Sequence, residues 1–218
     1  MCEKVFGVYL AKEDPESDAY AKLNLPAQPW ELLDALDKLH LQEGDCLYLE
    51  IDHYYDFEGL AAVLRDQEDS LAELNDLAER LTRLNAVQCT ALQGLIQMEK
   101  AKEANGISVS RLRDLTESVN GCHVVQEASN DRQLGRFYAE NGFVPEVEGI
   151  PDEVFELLDF EAIGLRARKE EGGVFTPGGY VLQNSDLKRA PPLPSEVAQP
   201  DYMILLEVTK GHPNGPAY

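Results

Sequence analysis

The densest group of residues able to do chemistry lies at positions 50–56, where Glu-Ile-Asp-His-Tyr-Tyr-Asp places three carboxylates and an imidazole within seven residues. Carboxylate oxygens and imidazole nitrogens are common ligands of divalent metal ions, so a metal-dependent enzyme is one alternative for this chain. Glu50 and Asp52 also fall on one face of a predicted strand, which is typical of surface acids in an acidic protein. The sequence favours this second interpretation and predicts no bound metal and no cofactor.

A second candidate for chemistry lies at residues 131–143, where Asp-Arg-Gln-Leu-Gly-Arg-Phe-Tyr-Ala-Glu-Asn-Gly-Phe resembles the last helix-to-strand segment of Gcn5-type N-acetyltransferases. Those enzymes also bind the pyrophosphate of coenzyme A with a glycine-rich loop at a helix N-terminus. Residues 107–125 contain no such loop, and the acids that follow residue 143 would repel a phosphate-rich cofactor. The sequence therefore predicts that the protein is not an enzyme, with an N-acetyltransferase as an alternative.

The most strongly charged stretch is residues 137–165, which contain eight carboxylates and no lysine or arginine. The apolar residues expected to face inward on a short helix there are Val154, Phe155, Leu157, Leu158 and Phe160. The neighbouring acids would then face outward, where like charges repel each other. A folded scaffold that presents unneutralised negative charge indicates a positively charged partner.

The acidity extends to the whole chain of 218 residues. Its 40 aspartates and glutamates outnumber its 19 lysines and arginines, and the formal net charge is −21 at pH 7. Hydrophobic residues make up 44%, so the chain has enough apolar side chains for a folded core. The charge argues against direct binding to nucleic acid or to anionic membranes, because both would repel it.

Cysteine usage and hydropathy together predict a cytoplasmic protein. Cys2, Cys46, Cys89 and Cys122 form no closely spaced pair, which argues for free thiols over a zinc site or a disulfide framework. The sequence contains no apolar run of about 18 residues, as a membrane span would need. Its first residues, Met-Cys-Glu-Lys, do not resemble a signal peptide.

The elements that must position the acids follow from hydrophobic periodicity. Strands are predicted at residues 5–10 and 46–52, on either side of a helix that begins at Pro29. Leucines at helical spacing from residue 60 to residue 96 predict a helical section. A helix at 131–140 and a hairpin at 174–183 follow, and one more strand is predicted at 202–208.

These elements predict an α+β fold class, elongated and built from three small subdomains. The predicted divisions are an N-terminal α+β subdomain at 1–56, a helical middle subdomain at 57–105, a C-terminal α+β subdomain with a terminal hairpin at 106–186, and a proline-rich linker with a C-terminal extension at 187–218.

A series of short motifs runs in order along residues 5–185. They are Val5–Leu10, Pro-Trp-Glu-Leu-Leu at 29–33, Leu-Glu-Ile-Asp-His-Tyr-Tyr at 49–55, Glu-Leu-Asn-Asp-Leu at 73–77, Phe-Tyr-x-Glu-x-Gly at 137–142, Pro151 with its acidic helix, Asp-Phe-Glu-Ala-Ile-Gly at 159–164, and the closing hairpin. In their order, spacing and acidity they resemble the ArdA antirestriction proteins of conjugative plasmids and transposons. Residues 12–15 and Ile163 depart from that pattern, which leaves a diverged acidic interaction protein of a mobile element as an alternative.

The resemblance implies an elongated homodimer that mimics bent DNA and inhibits type I restriction-modification enzymes by occupying their DNA-binding groove. Carboxylates at i, i+3 and i+4 of a helix place one charge every ~5 Å along a row, which approaches a phosphate ladder. We expect no catalytic residue, and a dimer contact near Phe143, Val144 and Phe155. The acids expected to form the mimic surface are Glu43, Asp45, Glu50, Asp52, Asp56, Glu58, Asp66, Glu68, Asp69, Glu73, Asp76, Glu79, Glu140, Glu146, Glu148, Asp152, Glu153, Glu156, Asp159 and Glu161.

Overall fold

The first of two small sheets has a largely buried central strand and two outer strands whose residues mostly alternate between more and less exposed positions. The computed structural model describes residues 3–14, 17–41, 45–55, 57–64, 70–102 and 106–193. Strand β1 (Phe6–Lys12) lies in the centre of this sheet, with β2 (Tyr20–Leu25) and β3 (Leu47–Tyr54) antiparallel on its two sides. The strands predicted at 5–10 and 46–52 are therefore confirmed within two residues at each end.

Strand β2 has no counterpart among the predicted elements. Its residues alternate strictly between exposed and buried, and Ala21, Leu23 and Leu25 lie in the core. Lys22 and Asn24 lie on the other face, so the segment is too polar to stand out by hydropathy. Its hydrogen-bonded pairing with β1 decides the structure of this segment.

Two helices contact β2 on the buried side of the sheet: α1 (Pro29–Lys38) and α2 (Leu71–Thr82). Pro29 is the first residue of α1. A backbone N–H at this position would have no hydrogen-bond partner within the helix, so the N–H that proline lacks is not needed. Ser70 caps α2, because its Oγ accepts a hydrogen bond from the Glu73 amide at 3.1 Å. The helix predicted to begin at Pro29 is confirmed, and α2 lies within the predicted helical section. Leu60, at the start of that predicted section, lies instead in a short 3₁₀ turn at Glu58–Ala62.

The second sheet has β6 (Gly179–Gln183) in its centre, with β4 (Cys122–Val125) and β5 (Val174–Thr176) antiparallel on its two sides. The remaining elements are, in chain order, α3 (Ala86–Lys100), α4 (Val109–Ser118), β4 (Cys122–Val125), α5 (Asp131–Glu140), α6 (Asp152–Phe155), α7 (Phe160–Glu171), β5 (Val174–Thr176) and β6 (Gly179–Gln183). Helix α3 packs on this sheet, and a side chain at Gly94 would overlap Val181. The predicted helix at 131–140 and the predicted hairpin are confirmed.

The chain divides into two compact units. The first unit comprises Met1–Arg83, Asn105–Arg113 and Ala190–Tyr218, and the second comprises Leu84–Ala104 and Asp114–Arg189. Seven helices and two three-stranded antiparallel sheets within the described ranges confirm the α+β class. The helical section predicted at 57–105 is shared, since α2 belongs to the first unit and α3 to the second. The strand predicted at 202–208 lies outside the described residues.

Two further expectations concern membranes and thiols. Among the helices of the described ranges, none combines the length and the apolar composition that crossing a membrane requires. Cys46, Cys89 and Cys122 are free thiols, and Cys2 lies outside the described residues.

Candidate acidic interaction surface

The acidic stretch is held by two helices that pack closely at a pair of glycines. A Cβ atom on Gly135 of α5 would overlap the carbonyl oxygen of Phe160, and one on Gly164 of α7 would overlap the carbonyl oxygen of Asp131. Glycine alone lets the two backbones approach this closely, since any other residue carries a Cβ atom.

An ion pair joins the same two helices. The Arg168 guanidinium donates two hydrogen bonds to the Asp131 carboxylate, at 2.7 and 2.9 Å. Such a bidentate pair fixes geometry as well as charge. The hydrogen bond from Arg168 lowers the pKa of Asp131, so this carboxylate stays ionised. The glycine contact and this ion pair therefore hold α5 and α7 together.

The C-terminal end of α7 is held by a carboxylate between two tyrosines. The hydroxyl of Tyr138 donates to Glu171 at 2.8 Å, and that of Tyr180 donates to the same carboxylate at 3.0 Å. Both tyrosines are buried. Burial, and after it the hydrogen bond to Glu171, raises the pKa of each hydroxyl above its ordinary value.

The stability of the protein should consequently fall in alkaline solution. The unfolded chain ionises its tyrosines at pH about 10, whereas the folded state keeps Tyr138 and Tyr180 protonated. The stabilisation from their raised pKa is complete below pH about 10 and is lost as the pH rises, by up to ~1.4 kcal/mol per pH unit for each tyrosine. Urea unfolding between pH 8 and 11 measures this slope. The double variant Tyr138→Phe, Tyr180→Phe should show a shallower decline, and an equal decline would contradict the assignment.

Two arginines that flank the base-free stretch fold back onto it. Arg136 donates to Glu140 at 2.7 Å and to Glu156 at 2.9 Å. Arg166 lies 3.6 Å from Glu146. The eight carboxylates are therefore partly neutralised by bases that lie just outside the stretch in sequence, which the sequence prediction missed. The signal was present, because these arginines immediately precede and follow residues 137–165.

Four carboxylates of this stretch stay exposed with no hydrogen-bond or ion-pair partner within the described residues: Glu148, Asp152, Glu153 and Glu161. Asp159 is exposed too, but its side chain accepts a hydrogen bond from the Ala162 amide at 3.0 Å and so caps α7. We name the eight carboxylates Glu140, Glu146, Glu148, Asp152, Glu153, Glu156, Asp159 and Glu161 the α5–α7 acidic surface. Against their eight charges stand the two guanidinium groups of Arg136 and Arg166.

The apolar residues within this stretch do not all face inward as predicted. Phe160 is buried, and Phe155 is half-buried with its ring centroid 5.3 Å from that of Phe160. Val154 is 47% exposed and Leu157 is 83% exposed, so the prediction is wrong for both. The reason is geometric: α6 is a single helical turn, and only one side of so short a helix can pack inward, where Phe155 contacts Phe160 of α7.

The predicted dimer contact also needs correction. Val144 is 6% exposed and belongs to the core with Val125 and Leu134, so it is not available to a partner. Phe143 is 58% exposed and remains available.

The predicted acids of the first sheet make contacts of their own. Asp45 pairs with Lys12 at 2.9 Å, and Asp52 pairs with Lys22 at 3.2 Å. Glu50 is exposed and accepts a hydrogen bond from the Tyr48 hydroxyl at 2.9 Å. The predicted acids Glu43, Asp56, Asp66, Glu68 and Asp69 lie outside the described residues, and of Glu58 only the backbone is described.

The acids of α2 serve the fold. Asp76 accepts hydrogen bonds from Arg80 at 2.7 Å and from Arg113 at 2.6 Å. The Arg113 side chain is only 6% exposed, and it also lies 3.7 Å from Glu73 and donates to the carbonyl oxygen of Pro191 at 3.1 Å. Glu73, Asp76 and Glu79 were predicted as part of the mimic surface, and each has an arginine partner in the same unit, so their charge is partly neutralised.

Asp76→Asn should lower the free energy of unfolding by about 1.5 kcal/mol, because it removes a charged partner that accepts a hydrogen bond from a buried guanidinium. Glu79→Gln is the matched control. Glu79 pairs with Arg83 at 2.9 Å, and the Arg83 side chain is largely exposed. The loss of stability in this variant should therefore stay below about 0.5 kcal/mol. Urea denaturation of both variants tests the difference, and equal losses would show that the Asp76–Arg113 pair does not hold the fold.

Three observations concern the residues that suggested the two enzyme alternatives. Within the described residues, no three His, Cys, Asp or Glu side chains converge as ligands for a metal ion. The His53 ring contacts Tyr55 edge-on, with centroids 4.5 Å apart. After α5 the chain forms a 3₁₀ turn at Pro145–Val147, where an acetyltransferase segment would continue as a strand.

Comparison of the chain with models of known protein families finds no match, and comparison with curated proteins finds none either. The candidate site is therefore defined by its own geometry. It consists of two closely packed helices, α5 and α7, and the segment between them, which together present carboxylates in excess of their basic partners.

Proposed function

We propose that this chain is an antirestriction protein that mimics DNA, and that it inhibits type I restriction-modification enzymes by occupying their DNA-binding groove. The observation that carries the proposal is the α5–α7 acidic surface, where Glu148, Asp152, Glu153 and Glu161 are exposed and have no partner among the residues that the structure describes. The surface includes the ends of two helices that pack closely at Gly135 and Gly164. The resemblance to ArdA proteins names the class of partner.

The physical basis is the exchange of one polyanion for another. A DNA-binding groove carries lysines and arginines that hold phosphates, and DNA presents one charge per ~1.7 Å of axis. Carboxylates fixed on a scaffold satisfy the same bases and release counterions from the groove. They contain no phosphodiester, so the enzyme has nothing to cleave. The function is shared among many acids and requires no catalytic residue, no metal and no cofactor.

The proposal includes a homodimer in the cytoplasm, where the target enzymes meet incoming DNA. A two-fold dimer would match the pseudo-two-fold symmetry of a DNA duplex. Light scattering at micromolar concentration measures the mass of the protein in solution. A monomeric mass would contradict the proposed dimer and would leave the proposed role of the acidic surface unchanged.

The test of the proposal is a pull-down of a purified type I restriction-modification enzyme by the immobilised chain, with duplex DNA as competitor. We expect capture at low salt, displacement by DNA, and a steep loss of capture as salt rises. Capture that resists both DNA and salt would indicate a different, apolar interface. Failure to capture the enzyme at any salt concentration would overturn the proposal.

A further inference from the structure

Two apolar side chains stand out from the α5–α7 acidic surface. Leu157 is 83% exposed and Val154 is 47% exposed, three residues apart on α6 and the turn that follows it. The Leu157 amide donates to the Val154 carbonyl oxygen at 3.1 Å, so the helical turn continues and both side chains lie on the same side. Phe155 and Leu158, by contrast, are half-buried. The two exposed residues contribute little to the core.

Charge decides which occupant fits this face. Glu153 lies one turn before Leu157, Glu156 immediately precedes it, and Asp159 follows it by two residues. All three side chains are exposed. A second copy of the chain docked face to face would bring two such sets of carboxylates together, which repel strongly once water is excluded. A partner with a basic surface is attracted by the same charges. A DNA-binding groove supplies that basic surface, and it also carries apolar side chains that contact base edges.

We propose that Leu157, supported by Val154, is an apolar anchor that the basic DNA-binding groove of the target enzyme buries. This inference rests on the proposed function and deepens it. Carboxylates around the anchor steer the encounter and pair with lysines and arginines, while the anchor adds contact energy that bare phosphate mimicry does not supply. The anchor also distinguishes the inhibitor from DNA, because it adds contacts that do not depend on salt.

The experiment compares binding curves across salt concentrations. Variants Leu157→Ala and Val87→Ala are titrated against a type I restriction-modification enzyme at several salt concentrations from about 50 to about 200 mM. Over this roughly fourfold range the affinity of proteins for DNA changes strongly. Val87 is the control, since it is 45% exposed on α3 of the same unit and lies outside the acidic surface. Leu157→Ala should weaken binding about 10-fold at every salt concentration, with the same salt slope as the parent, and Val87→Ala should bind as the parent does.

Asp152→Asn completes the comparison, because removal of one charge should reduce the salt slope. Circular dichroism checks that each variant is folded, which we expect for exposed positions.

If Leu157→Ala binds as tightly as the parent, the anchor is wrong and the proposed function stands. If Leu157→Ala halves the mass measured by light scattering, the residue serves contact between copies and the anchor is wrong. If the parent itself does not bind, both proposals fail.

Discussion

Replacing Gly164 with alanine should destabilise the second unit by about 3 kcal/mol. In an exposed helix the same change would add about 1 kcal/mol of stability, because alanine is the better helix former. Here the new Cβ atom would overlap the carbonyl oxygen of Asp131 and lie 2.8 Å from the backbone nitrogen of Gly135. Both obstacles are backbone atoms, so relief requires α5 and α7 to move apart. The sign of the measured change therefore reports the packing of the two helices.

Urea denaturation followed by circular dichroism measures this change, and hydrogen exchange of the α5 and α7 amides locates it. Gly59→Ala is the matched control, because a Cβ atom there meets nothing within 4 Å. Its effect should stay within about 0.5 kcal/mol. A Gly164→Ala variant more stable than the parent would show that the helices do not pack at their glycines.

Neutralising the unpaired carboxylates together should weaken inhibition about 100-fold at low salt. The variant carries Glu148→Gln, Asp152→Asn, Glu153→Gln and Glu161→Gln. Each charge alone is one of many, so a single change should alter inhibition less than about threefold. The fold should be retained or slightly stabilised, because repulsion among like charges is relieved. Glu156 and Asp159 stay unchanged, since the first pairs with Arg136 and the second caps α7.

The measurement is inhibition of DNA cleavage by a type I restriction enzyme, with circular dichroism as the folding control. Two double variants that each remove two charges are also compared. The first carries Asp152→Asn and Glu153→Gln, within the acidic surface. The second carries Glu127→Gln and Asp186→Asn, at two exposed acids of the second unit that lie outside the acidic surface. Only the first pair should weaken inhibition. Complete loss from one conservative change would indicate catalysis, since catalytic groups act as a unit, and an enzyme alternative would then be favoured.

Elements with a strong local signal were predicted well. Helix α5 and the β5–β6 hairpin lie where the sequence placed them, because a capping residue and a glycine turn specify each within a few residues. Helix α7 was not predicted. Only Phe160 and Gly164 are buried along it, so it carries no apolar stripe for periodicity to detect. A close glycine contact and the Arg168–Asp131 ion pair hold it in place.

For the candidate site too, the sequence predicted the features with a strong local signal and missed those that depend on packing. The sequence located the acidic stretch at 137–165 and its excess of charge. It did not show that Val154 and Leu157 would be exposed, because α6 is a single turn and periodicity cannot orient so short a helix. It also did not show that the acids of α2 are paired with arginines, one of which is buried.

By itself, the sequence determined the α+β class, the strong net negative charge and the segments rich in acid, because composition and short-range periodicity are properties of the chain alone. Only the tertiary structure decided which carboxylates are neutralised. Arg136 reaches Glu156 across 20 residues, and Arg113 reaches Asp76 across 37. An ion pair forms between groups that are close in space, and sequence separation does not determine that distance. Folding therefore left Glu148, Asp152, Glu153 and Glu161 exposed and unpaired within the described residues, where a basic partner can reach them.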